Sequence, residues 1–148
     1  MQRLFDVYEA QPDDIPELKR WLNKKNKKPT VSGEKEFILI ARFQGMLAGC
    51  IQLIYFGEMR PQMPHYWLYA LIVKPLFRSM GCGEKLFRCA IAFAEQRQFN
   101  TLHLLVNPEN SQALNIYRKS GFEMDHDLAF SWNNNYQILT YKKGAKNG

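Results

Sequence analysis

From Tyr66 to Phe122 the chain reads YWLYALIVKPLFRSMGCGEKLFRCAIAFAEQRQFNTLHLLVNPENSQALNIYRKSGF. The apolar run Tyr66 to Val73 has the length and aromatic content of a buried strand. A short turn follows, with Pro75, Arg78, Gly81 and Gly83. A helix-period segment then runs from about Glu84 to Gln96, and a second apolar run, Leu102 to Val106, reads as another strand. Strand, loop, helix, strand is a βαβ unit. It requires parallel strands and a right-handed crossover. The glycine-containing loop falls where the first strand feeds the helix N-terminus.

That position has a physical meaning. A helix N-terminus leaves N–H groups without partners and carries about half a positive charge. Gly81 and Gly83 offer no side chain to block a ligand, and Arg78 adds a permanent forked cation. Together they make a cradle for a phosphate or pyrophosphate. The alternative is an ordinary βα turn whose glycines relieve crowding. Two familiar phosphate loops do not fit. The dinucleotide fingerprint needs a third glycine where Leu86 stands, and a P-loop needs Gly-Lys-Ser/Thr where Gly83 is followed by Glu84 and Lys85.

Arg78-x-x-Gly81-x-Gly83 after an apolar strand resembles the coenzyme A pyrophosphate motif of the GNAT superfamily, the acetyl-CoA-dependent N-acetyltransferases. The segment VNPENSQALNIYRKSGF, Val106 to Phe122, is similar to a second stretch of that family: a strand end, an asparagine, a short helix ending in tyrosine, then Gly-Phe. The likeness covers about Leu68 to Glu123. It implies an α/β (α+β) fold in one domain: a mixed, mostly antiparallel sheet of about six to seven strands, with helices on both faces. It also implies a cleft where the two parallel strands diverge, near Val73 and Val106, and acetyl-CoA as co-substrate with no metal. A bulge is implied around Leu71, Ile72 and Val73, whose N–H groups would meet the acetyl carbonyl and the pantetheine arm. Amides of Arg78, Ser79, Met80, Gly81, Cys82, Gly83 and Glu84 would hold the pyrophosphate.

By the same resemblance Asn110 and Tyr117 contact the far side of the cofactor, and Tyr117 protonates the departing thiolate. A phenol with pKa about 10 is protonated at neutral pH, so it can serve as that acid. The alternatives are that Tyr117 packs its helix on the sheet and that Asn110 only caps it. A general base is less defined. An alkyl amine near pKa 10.4 loses its proton at pH 7 at a cost of about 4–5 kcal/mol, and an α-amine near 8 at about 1–1.5 kcal/mol. Glu58, His65, Tyr69 or water could take that proton; His103 and His126 rank below them.

The whole chain sets outer bounds. Its 148 residues suit one domain with a sizeable core, expected over residues 1–143 with a frayed tail over 144–148. Lys plus Arg is 20 against 14 Asp plus Glu, a formal charge of +6 that favours anionic partners such as coenzyme A. No RNP-type aromatic pattern or zinc-finger spacing supports nucleic acid. Cys50, Cys82 and Cys89 are odd in number and include no C-x-x-C pair, so a reducing, cytoplasmic setting fits and Cys82 reads as a small buried filler. The start MQRLFDVYEA has no apolar core of a signal peptide, and no apolar run approaches the length of a membrane span.

Around the central unit, Arg3 to Tyr8 reads as a short strand. Asp14-Ile-Pro-Glu17 resembles a capping box before a helix from about Pro16 to Lys24. The run Lys24 to Lys28 reads as a solvated helix end, or as a basic lip for an anionic ligand. Glu36 to Phe43 and Met46 to Phe56 flank Gln44-Gly45, an antiparallel hairpin signal. Gly57 to Pro64 is a loop. The helix from Glu84 buries Leu86, Phe87, Ala90, Ile91 and Ala94, and Gln98 or Asn100 would end it in a left-handed turn. Asn110-Ser111 caps a helix that runs to about Lys119 and stops at Gly121. Phe122 to Trp132 and Gln137 to Lys142 form a second hairpin around residues 133–135.

The expected function is transfer of an acetyl group from acetyl-CoA to a primary amine of a small molecule or peptide by direct attack. Acetylation of a protein N-terminus or lysine is a narrower alternative. A coenzyme A-binding module without turnover is another, and a basic nucleic-acid binder a third. The acceptor depends on residues 24–33, 57–64 and 125–135, which carry no recognisable motif. A homodimer is compatible with the sequence.

Overall fold

In the computed structural model, residues 4–24, 35–55, 66–97, 101–124 and 137–142 are described. The elements in chain order are β1 (Asp6–Glu9), α1 (Ile15–Lys24), β2 (Lys35–Phe43), β3 (Met46–Tyr55), β4 (Tyr66–Val73), α2 (Cys82–Gln96), β5 (Thr101–Val106), α3 (Ser111–Lys119), β6 (Glu123–Met124) and β7 (Gln137–Lys142). Short 3-10 turns at Pro12–Asp14 and Pro75–Phe77 precede α1 and the loop before α2. Among the described residues the strands form one seven-stranded sheet in the order β1-β2-β3-β4-β5-β7-β6. Among the described strands β4 and β5 run parallel and every other neighbouring pair is antiparallel.

Alternation of side chains along the strands divides two cores. Leu39 and Ala41 of β2 and Ile51 and Leu53 of β3 point to one face, where Leu86, Phe87, Ala90 and Ala94 of α2 cover them. Leu114 of α3 and Phe122 join the same cluster. Ile40, Leu47 and Cys50 point to the other face and meet Leu18 and Trp21 of α1. The amphipathic faces of the helices thus decide which side of the sheet each occupies.

The first hairpin turns through Gln44 (φ 49°) and Gly45 (φ 85°), the paired left-handed conformation of a tight two-residue connection. β4 and the second strand of the last hairpin, β7, occupy the expected spans. Other boundaries shift. β1 begins at Asp6, because Phe5 turns into the core against Phe43 and Phe77. α2 starts at Cys82, two residues before the expected Glu84.

The capping box lies one turn earlier than Asp14–Glu17. Asp14 accepts the Gln11 N–H at 2.9 Å, while Glu17 pairs with Arg42 at 2.9 Å. Arg42 also reaches Asp14 at 2.9 Å and Tyr8 at 3.1 Å, tying the start of α1 to β1 and β2. β6 is described over two residues, so the long strand expected to Trp132 lies mostly outside the described residues, as do residues 25–28, 57–64, Gln98 and Asn100.

Candidate active site

Trp67 and His103 are the only registered pair between β4 and β5 among the described residues. Beyond it β4 continues to Val73 and β5 to Val106 with no further register pair between them among the described residues. The parallel strands therefore part in the expected place.

A bulge accompanies the parting. Cys50 pairs with Ile72 and Gln52 with Tyr69, so Ala70 and Leu71 together oppose Ile51. The expected stretch began at Leu71; the extra residue lies at its leading edge. Such a bulge bends the strand and re-aims its amides. After it, Leu71 and Val73 pack on the α2 side and Ile72 on the α1 side.

The N-terminus of α2 stands directly over this strand end, and two glycines make the approach feasible. A Cβ on Gly49 of β3 would lie 2.8 Å from the Ile72 carbonyl oxygen and 3.1 Å from Leu86 Cδ1. No side chain fits there without displacing backbone. Gly83 faces Val73 and Leu71, where an added Cβ would sit at 3.6 and 3.7 Å, ordinary contact.

The loop itself is open. Ser79 (φ 65°) and Gly81 (φ 83°) are left-handed, and a Cβ on Gly81 would touch nothing within 4 Å. Alternating left-handed residues turn successive amides toward a common concavity. Lys85 N–H makes the first bond of the helix, to the Gly81 carbonyl at 3.0 Å. Residues 78–81 form a turn, and among the described residues the amides from Ser79 to Glu84 make no well-formed hydrogen bond to a protein acceptor. Arg78 is exposed, lays its Nε 3.3 Å from the Val73 carbonyl oxygen and pairs with no carboxylate among the described residues. Met80 is exposed beside it.

The remaining loop side chains turn elsewhere. Glu84 pairs with Arg88, and Lys85 donates to the Phe5 carbonyl. Cys82 is buried, and burial pushes its thiol up to about 11. Cys50 on the other side of the sheet is pushed up to about 12 by burial and by the neighbouring Cys82. Neither is a thiolate at neutral pH, so neither is an activated nucleophile.

Asn110 is the N-cap of α3 rather than a helical residue; its side-chain oxygen accepts the Ala113 N–H at 3.2 Å. Capping is therefore one of its roles. Tyr117 lies partly buried, its ring centroid 4.9 Å from that of Phe87 and 6.5 Å from that of Phe122. Burial raises its phenol above the ordinary tyrosine range, and its hydroxyl bonds to none of the described residues. An unspent, protonated hydroxyl is what an acid requires.

Of the base candidates, Tyr69 lies on β4 beside the bulge, and Glu58, His65 and His126 are outside the described residues. His103 is buried, with Nδ1 2.8 Å from Thr140 Oγ1, which suits a structural role.

Sequence reasoning placed Phe87 in the core and Phe122 in a motif but not their stacking around Tyr117, and it missed Gly49 and Gln52, a polar residue in an apolar strand. A glycine inside an apolar run signals close backbone approach, and a buried amide there signals a partner. Among the described residues no cluster of three His, Cys, Asp or Glu could hold a metal, and no helix is long and apolar enough to cross a membrane.

Comparison with known proteins agrees with this geometry. The family model of the acetyltransferase (GNAT) family matches residues 1–122. An uncharacterized N-acetyltransferase of Methanocaldococcus jannaschii is 32% identical over 65 residues, which is 44% of this chain and 28% of the relative's length. The solved structure of an acetyltransferase of the GNAT family from Streptococcus pneumoniae superposes with a TM-score of 0.70 at 19% identity, covering 93% of this chain and 99% of that one. The PaiA N-acetyltransferase of Thermoplasma acidophilum, solved in complex with coenzyme A, gives 0.66 at 16% identity over 93% and 98% of the two chains. With a family model spanning most of its length and a matching fold, the chain belongs to the acetyltransferase (GNAT) family, whose co-substrate is acetyl-CoA.

Proposed function

We propose that this chain transfers an acetyl group from acetyl-CoA to a primary amine by direct attack. The observation that carries the reading is the open turn from Ser79 to Glu84, whose amides make no well-formed bond to a protein acceptor among the described residues, at the N-terminus of α2 over the bulged end of β4. Backbone donors gathered at this turn, next to an Arg78 that pairs with no carboxylate among the described residues, suit a diphosphate in charge.

The residues divide the work. Arg78 and the loop amides hold the diphosphate. The edge of β4 at Leu71 to Val73 offers N–H groups to the pantetheine arm and to the thioester carbonyl. A fixed donor there stabilises the charge that grows on the carbonyl oxygen as the amine attacks. Acetyl-CoA supplies the activated acyl group. As the new C–N bond forms and the C–S bond breaks, Tyr117 gives its proton to the departing sulfur, and the amine's surplus proton passes to solvent or to a base. The buried thiols of Cys50 and Cys82 make a covalent acyl-enzyme unsuited to this site.

Three free cysteines suit a reducing compartment such as the cytoplasm. The test is thiol release from acetyl-CoA across small amines, N-terminal peptides and lysine peptides. Amine-dependent release supports the reading. Tight coenzyme A binding with no release from any amine would leave a binding module instead.

A further inference from the structure

The wedge between β4 and β5 closes on a pair of rings that the acetyl-transfer reading does not use. Trp67 on β4 stands opposite His103 on β5, and their ring centroids lie 5.6 Å apart. Leu68 on one strand and Leu102 and Leu104 on the other pack on the α2 side, so both rings lie on the opposite face. Both are nearly sealed, at 6% and 5% exposure. His103 is braced from the next strand, its Nδ1 2.8 Å from Thr140 Oγ1 on β7. Trp67, His103 and Thr140 therefore form a packed ledge across three neighbouring strands.

The ledge lies at the closed end of the wedge and the diphosphate loop at its mouth. Gly83 of that loop faces Leu71 and Val73 on the α2 side. A cofactor arm entering there runs back along β4, so its acyl end points toward the ledge. From Trp67 to Ala70, where the bulge begins, the strand covers about 10 Å at about 3.3 Å per residue. Little of that length is open. At the ring pair the strands keep the ladder spacing of about 4.8 Å, which leaves no room for a carbon chain between them. The wedge is wide at the bulge and shut at the rings. An acetyl methyl fits just past the thioester carbonyl, and each further methylene is driven toward the indole.

We infer that Trp67, braced by His103, is the floor of the acyl pocket and sets the donor's chain length: acetyl is accepted, and longer straight chains such as butyryl and hexanoyl are turned away. This rests on the acetyl-transfer reading. The discrimination is steric. A close-packed interior yields little, and extra methylenes forced into it push side chains off their rotamers. One methylene too many in an apolar pocket changes kcat/KM by about tenfold or more. The indole is the larger of the two rings, and it stands on β4, the strand whose bulge receives the thioester. Shortening it lowers the floor without altering the diphosphate loop or Tyr117.

The test compares acetyl-, butyryl- and hexanoyl-coenzyme A as donors in the thiol-release assay, for the wild type and Trp67→Leu. The wild type is expected to favour acetyl over butyryl by about tenfold or more in kcat/KM. Trp67→Leu is expected to bring that ratio toward one through a gain with the longer donors. Equal use of acetyl and butyryl by the wild type, or an undiminished ratio in Trp67→Leu, overturns the floor. Should Trp67→Leu fail to fold, the wild type decides alone. Its Trp67 indole N–H resonance is expected to move when bound coenzyme A is replaced by acetyl-coenzyme A, and further with butyryl-coenzyme A; an indole that neither donor moves overturns the floor. If no amine is acetylated, calorimetry of acetyl- and butyryl-coenzyme A binding reads the same preference, and equal affinities overturn it. A chain that binds no coenzyme A contradicts the acetyl-transfer reading itself, a result separate from indifference to acyl length.

Discussion

The ring of Phe87 on α2 lies 4.9 Å from the ring of Tyr117 on α3, and Phe122 lies 5.3 Å beyond Phe87. These rings continue to Tyr141, 5.5 Å from Phe122, whose hydroxyl donates to Glu95 at 2.7 Å. An aromatic wall thus fixes Tyr117 from the side away from solvent and raises its phenol by burial.

Tyr117→Phe keeps that wall and removes only the hydroxyl. General acid catalysis is typically worth about 100-fold or more, so kcat should fall by about that factor. The acetyl-CoA dissociation constant should change by less than about threefold, since one neutral hydrogen bond at most is lost. Steady-state kinetics with equilibrium binding separate the two. Normal turnover would reduce Tyr117 to a packing residue.

Gly49→Ala should destabilise the fold and slow the enzyme together. The added Cβ would stand 2.8 Å from the Ile72 carbonyl oxygen, which belongs to the strand end beneath the loop. Overpacking of this kind costs about 1–3 kcal/mol. A urea unfolding midpoint that does not move would show that β3 and β4 are less closely apposed than this.

Alkaline pH should weaken the fold through Tyr141. Burial first, then its bond to Glu95, pushes this phenol up to about 12, whereas an unfolded tyrosine titrates near about 10. The folded state thus favours the protonated form. That stability is fully present below pH about 10 and is lost as pH rises toward about 12. Tyr141→Phe should be less stable than the wild type at neutral pH by about 1 kcal/mol and should lose stability less steeply between those pH values. Equal slopes would contradict this assignment.

Legibility differed from one element to the next. β4 kept its expected span because eight apolar residues between turn signals leave a strand little choice of ends. The turn at Gln44-Gly45 and the stop at Gly121 (φ 101°) were readable because left-handed positions favour such residues. The capping box slipped because Asp14 and Glu17 are both claimed by Arg42, 28 and 25 residues away in sequence, and local spacing cannot register so distant a partner. The same holds for the site. Arg78, Gly81, Gly83 and Tyr117 belong to local motifs. Gly49 and the Trp67–His103 pair matter through neighbours on other strands, which only the register brings together.

The diphosphate grip is most directly tested by titrating isotopically labelled protein with coenzyme A and following its backbone amide resonances. The amides from Ser79 to Glu84 should shift strongly and together, and Arg78→Glu should weaken the titration by about tenfold or more, because it sets an anion beside the diphosphate. Saturable binding that leaves those six amides unmoved, or an unchanged affinity in Arg78→Glu, would contradict the account.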